Sequence, residues 1–160
     1  MFTITGKILF DPKDKTKKHT KQSYWKRTSM IMFNCDVDNY YAWFIQKRYN
    51  LVLNQPLRGA HISFINDRFT GDEDTWNSIK NKWDGKLLTI TLDENVKSDG
   101  KYWWLDVTEE SRSSLHLIRT ELGLTERPYF GLHLSIGYAN EKNIAHSNYI
   151  HRGIKNGLIN

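Results

Sequence analysis

A chain of 160 residues can bury one substantial core and is most simply a single domain, and 39% hydrophobic with 13% aromatic residues excludes a disordered chain. A net charge of +5 and a pI near 9.2 favour small anionic partners, but the excess is too slight for a track along long duplex nucleic acid. Cys35 is the single cysteine, which excludes an internal disulfide and a cysteine-based metal cluster. No secretory apolar core or membrane-length run is present, so a soluble, cytoplasmic protein without membrane contact is expected.

In chain order, residues 2–10 alternate Phe2, Ile4, Ile8 and Phe10 on one side, the pattern of a half-buried strand. Residues 11–27 are polar and basic around Tyr24-Trp25. They read either as a solvated loop or as a lid whose aromatic rings stack on a base while the lysines draw in phosphate. A β run follows at 29–34. Asp36-Val37-Asp38 can cap a helix to about Asn50, with Tyr41, Phe44 and Ile45 on its apolar stripe. Pro56 and Gly59 close the connection to a strand at 59–66.

Asp72-Glu73-Asp74 opens a second helix that Gly85 stops. Its Trp76, Ile79 and Trp83 fall at core spacing, although Trp76 is also a candidate to stack on a base. Residues 87–92 and 102–107 read as two strands joined by a turn. A third helix from Glu109 or Ser111 to Leu122 carries Leu115, Ile118 and Leu122 inward and ends at Gly123. Pro128 leads into a last strand over 129–138, and 140–160 has too weak a periodicity to assign.

That last strand organises the chain. Alternation puts His133, Ser135 and Gly137 on one face and Leu132, Leu134, Ile136 and Tyr138 on the other. A histidine, a hydroxyl and an empty position could surround a small anion. The strand at 59–66 repeats the theme with His61 and Ser63. Among six histidines about one would have Ser or Thr two residues on by composition alone, so one copy reads as an ordinary hydrogen-bonded, half-buried histidine. Two copies, both in apolar strand-like runs, point to a shared site, and suggest a duplicated α+β unit whose His strands meet across a cleft.

Phosphodiester cleavage needs a base for the attacking group, an acid for the departing oxygen, and donors to the non-bridging oxygens. Two imidazoles titrating near neutrality supply the first two and two hydroxyls the third, with no metal or other cofactor required. The sequence has no His-Glu-x-x-His and no carboxylate cluster for a metal, and neither serine lies in Gly-x-Ser-x-Gly.

Ala60-His61-Ile62-Ser63-Phe64 and Leu132-His133-Leu134-Ser135-Ile136 resemble the paired His-hydrophobic-Ser/Thr signature of the 2H phosphoesterase superfamily. The resemblance implies an α+β, bilobal, pseudo-twofold fold, with antiparallel sheets lining a central cleft and helices outside. It also implies metal-independent action on 2′,3′-cyclic, 2′,5′ or related nucleotide phosphodiesters. By motif position His61 and His133 become base and acid in an unassigned order, and Ser63 and Ser135 phosphate ligands. The size and the Lys/aromatic segment near the N-terminus are similar to phage 2H enzymes that degrade the cyclic di- and trinucleotide messengers of bacterial CBASS immunity, where aromatic residues clamp the bases. Tyr24, Trp25, Trp76 and Tyr138 are the candidates here, with Tyr138 on the wrong face if the strand is regular. The expected protein is a monomer acting in the cytosol, the host's if it is phage-encoded. The competing expectations are RNA-end processing of 2′,3′-cyclic or 2′,5′ phosphodiesters and a nucleotide-sequestering module.

Overall fold

The computed structural model describes residues 1–12, 26–56 and 58–139. Tyr24, Trp25 and the stretch 140–160 lie outside them. Eight strands and three helices are present: β1 Phe2–Phe10, β2 Lys26–Phe33, α1 Val37–Tyr49, β3 Leu53–Asn54, β4 His61–Arg68, α2 Glu73–Trp83, β5 Leu87–Leu92, β6 Lys97–Ser98, β7 Tyr102–Asp106, α3 Glu109–Glu121 and β8 His133–Ala139. They form two four-stranded sheets, β4-β2-β1-β5 and β3-β8-β7-β6, in which every named pairing is antiparallel, so the chain is α+β. Among the described residues no helix is long and apolar enough to cross a membrane.

Alternation works well for β1, whose Ile8 and Phe10 are buried; Gly6 on the same face lets β2 approach, since a Cβ there would come within 2.5 Å of Ile31. The two strands expected around a turn after residue 92 are both present, but they do not pair as a hairpin. β5 joins β1 in the first sheet and β7 joins β8 in the second, with the short β6 between them in sequence. The sheets meet at this corner instead: Leu92 bridges Val107, and the Asp93 N–H donates to the Asp106 carbonyl at 2.9 Å. Apolar periodicity tells which face of a strand is buried, not which strand will be its neighbour.

α1 also departs from expectation. Asp36 makes no side-chain cap, the buried face is Asp38, Ala42 and Ile45, and Phe44 turns outward at 40% exposure. Asn50 ends the helix in the left-handed region, φ 50°. α2 and α3 fit better. Asp72 accepts from the Thr75 N–H at 2.6 Å to cap α2, and Leu115, Ile118 and Leu122 face inward from α3.

One apolar core runs through both sheets. The helices cross over between the sheets: α1 leads in sequence to β4 but packs on β8, whereas α3 leads to β8 but packs on β4 and β5. Each sheet is therefore covered in part by the helix that precedes the other sheet's histidine strand. Arg119 of α3 makes this bond explicit. Fully buried, it donates to the Phe64 carbonyl at 2.8 Å and to both Asp67 carboxylate oxygens at 2.7 and 3.0 Å, all on β4. Its Nε and Nη2 hold the Thr125 carbonyl and hydroxyl beyond the helix end.

Candidate active site

Both histidine strands start later than alternation predicts, at the histidine itself, because a turn occupies the residues before it. Tyr129 and Phe130 belong to that turn and are 90% and 82% exposed, not strand residues. The turns share one construction. Proline is followed three residues later by glycine, at Pro56/Gly59 and Pro128/Gly131, and each glycine N–H donates to the proline carbonyl, at 3.3 and 2.9 Å. The glycines have φ 72° and 71°, a region that side chains resist. The repeat is thus Pro-x-x-Gly-x-His-x-Ser, longer than the His-x-Ser seen at first, and its Pro-x-x-Gly part was legible in the sequence.

The turn orients the ring. Nδ1–H of His61 donates to the Gly59 carbonyl at 2.8 Å, so Nε2 carries the lone pair when the ring is neutral. The His133 ring meets the backbone carbonyl of the equivalent glycine, Gly131. Burial is the first cause lowering both histidines below the ordinary imidazole value, and these carbonyls oppose it. The other neighbours differ. Arg58 and His133 lower His61 further while Asp38, expected to cap α1 but buried instead, raises it; Asp106, across the ladder from His133, raises His133. Asp106 is fixed by the Trp104 indole N–H at 3.0 Å, and the Trp104 ring stands edge-on to His133.

The third residue after each histidine is a β-bulge. Phe64 has no partner between the pairs Met30–Ser63 and Ser29–Ile65, nor has Ile136 between Trp104–Ser135 and Trp103–Gly137. Both bulged side chains are buried, and the extra residue reverses the alternation beyond it. Gly137 therefore does not share the histidine face as expected. It turns inward, where a Cβ would sit 2.8 Å from the Asn54 carbonyl, and Tyr138 turns onto the face of His133 and Ser135.

His61, His133, Ser135 and Tyr138 line one cavity of about 910 Å³. Ser63 is half-buried on β4 and is not among the described residues that line it. Trp76 is corrected to a core residue: at 0% exposure it packs on Phe10 and Phe69 and donates to Asp11 at 2.9 Å, leaving no ring face for a base. The wall holds groups that the sequence had not singled out: Arg58, Arg112, Arg127 and Lys97, against the carboxylates Asp99 and Asp106, with Tyr102, Trp104 and Phe130. Arg58 and Phe130 occupy the same place in the two Pro-x-x-Gly turns and could have been found from the repeat. The others come from a helix, a hairpin and a loop with no local pattern to mark them. Among the described residues no group of three or more His, Cys, Asp or Glu side chains is placed to hold a metal ion. No family model, curated protein or solved structure matches the chain.

Proposed function

We propose that this chain is a phosphodiesterase of the 2H kind that cuts nucleotide phosphodiester bonds by general acid–base catalysis, with cyclic di- or trinucleotide messengers as its substrates. What carries the reading is the pair of matching turn–strand segments whose imidazoles open onto one cavity. The pseudo-twofold, bilobal arrangement belongs to the same reading, each half contributing one histidine strand. The cavity volume is at the upper end of the roughly 300–1,000 Å³ of small-molecule sites, which suits a ligand larger than a mononucleotide. Tyr102, Tyr138 and Phe130 offer stacking surface for bases.

The charges around the rings divide the roles. His61, beside Arg58 and the other imidazole, is the base; His133, beside Asp106, is the acid. Nε2 of neutral His61 takes the proton of the ribose 2′-hydroxyl next to the scissile phosphate. That oxygen bonds to phosphorus in line with the departing 5′-oxygen, the P–O5′ bond breaks, and protonated His133 gives its proton to the leaving oxygen. The products are a 2′,3′-cyclic phosphate end and a 5′-hydroxyl. Ser135 and Arg58 stabilise the charge on the non-bridging oxygens. In a cell, such a protein acting in the cytosol would erase a cyclic-nucleotide alarm, as phage enzymes of the resembling group do.

The test is product analysis on cyclic dinucleotides, 2′,3′-cyclic RNA ends and 2′,5′-linked oligoadenylate, with EDTA present. Cleavage of the cyclic dinucleotides is expected, and a 2′-deoxy analogue should resist. Cleavage of the RNA ends alone would move the substrate to RNA-end processing. Tight binding with the ligand recovered intact would leave a sequestering module, and neither binding nor turnover would end the reading.

A further inference from the structure

We propose that Arg112, His116 and Arg127 form a second anion subsite beside His133, which takes a phosphate other than the one being cut. The inference rests on the phosphodiesterase reading above and narrows it to substrates with at least two phosphates. Arg112 and His116 are four residues apart on α3 and so share a helix face, and Arg127 comes from the loop between α3 and β8; all three line the cavity with the two histidines.

The position of the cluster is set by backbone. Nε of Arg112 donates to the Val107 carbonyl at 2.8 Å, and the Val107 N–H donates to the carbonyl of Leu132, the residue before His133, at 3.2 Å. The guanidinium is therefore tied to the backbone just past β7, which in turn bonds the residue before His133. Its terminal nitrogens have no carboxylate partner among the described residues, and Arg127 has none either. The two carboxylates of the wall bond to neither arginine. Asp99 accepts from the N–H groups of Lys101 and Tyr102 at 3.0 and 2.7 Å, and Asp106 accepts from Trp104.

His116 senses this excess. Burial lowers it below its ordinary value, Glu126 opposes the shift at 3.8 Å, and Arg112, Arg119 and Arg127 add to it. Arg119 is already neutralised by Asp67, and Glu126 is 79% exposed, which screens it. Two cations without carboxylates and an imidazole, on one wall of a cavity, form a site for an oxyanion. Arginine forks suit phosphate in particular. A cyclic dinucleotide with one phosphate between His61 and His133 has its second phosphate on the far side of the ring, where such a cluster can hold it.

The experiment compares a dinucleoside monophosphate with a cyclic dinucleotide of the same bases, using wild type, Arg127→Ala and Arg112→Gln. Both variants should raise KM for the cyclic dinucleotide on the order of 10-fold, the loss of one charge-assisted hydrogen bond, and leave the one-phosphate substrate within about 2-fold. Equal losses on both substrates, or none on either, would overturn the subsite while the phosphodiesterase reading stood. A second measurement needs no turnover: calorimetric binding of nucleoside 3′,5′-bisphosphate and 5′-monophosphate to the wild-type chain. The bisphosphate should bind about 10-fold tighter, and Arg127→Ala should abolish that preference. Equal affinities in wild type would overturn the subsite even if no substrate were cleaved.

Discussion

β4 and β8 make an instructive pair, because they share a frame and differ in their surroundings. Each is entered by a Pro-x-x-Gly turn with a left-handed glycine, each has its histidine ring on that glycine's carbonyl, and each bulges at the third residue beyond. β4, however, lies at the edge of its sheet, with Arg58 against its histidine and Ser63 off the cavity. β8 lies between β3 and β7, with Asp106 against its histidine and both Ser135 and Tyr138 on the cavity wall. The repeated part places two rings alike, and the unrepeated part makes them chemically unlike. A duplicated strand alone would yield two equivalent imidazoles; the proposed base and acid differ in what packs beside them, Arg58 at His61 and Asp106 at His133.

The largest expected effect tests the shared frame. His61→Ala and His133→Ala should each reduce kcat by about 10²–10⁴-fold, with folding by circular dichroism unchanged. If either variant keeps near-full activity, the rings do not act as a pair. Next comes the anchor that only β4 has. Arg119→Met removes the guanidinium that donates to Asp67 and the Phe64 carbonyl, so stability should fall by about 1–3 kcal/mol in urea titration. A loss under about 1 kcal/mol would mean that the β4 bulge holds without α3.

The serines sharpen the contrast further. Ser135→Ala should lower kcat by about 10²-fold as a lost oxyanion donor, whereas Ser63→Ala should cost less than about 10-fold. Equal losses would contradict the asymmetry of the two strands. The smallest effect is in the pH profile of kcat/KM. Both histidines titrate below the ordinary 6.5, so the base is lost as pH falls through its lowered value and the acid is lost as pH rises through its own. The bell should centre on the acid side of 6.5, with limbs that belong to the coupled pair. Asp106→Asn removes a charge that favours protonated His133, so the alkaline limb should move to lower pH. An alkaline limb that stays put would assign the acid to His61.

Much of this molecule is legible in its sequence. The faces of β1, the core faces of α2 and α3, the glycine stops at 85 and 123 and the two His-x-Ser strands all follow from short-range periodicity and backbone preference. The turns before the histidines carried a signal in Pro-x-x-Gly that a shorter motif had hidden. The placement of Tyr138 carried none. Alternation assigns it to the core side, and only an unpaired Ile136, defined by the partner strand, reverses it.

By itself the sequence determined the buried faces of β1, α2 and α3, and that two histidines follow like turns on like strands, because those properties depend on neighbours a few residues away. Tertiary structure alone decided that β5 and β7 part into different sheets, that α1 and α3 cross to the opposite sheets, and that Arg112, His116 and Arg127 join the histidines around one cavity. The reason is physical: strand pairing, bulges and the charge around a buried ring are properties of two segments in contact, and no single stretch of chain contains them.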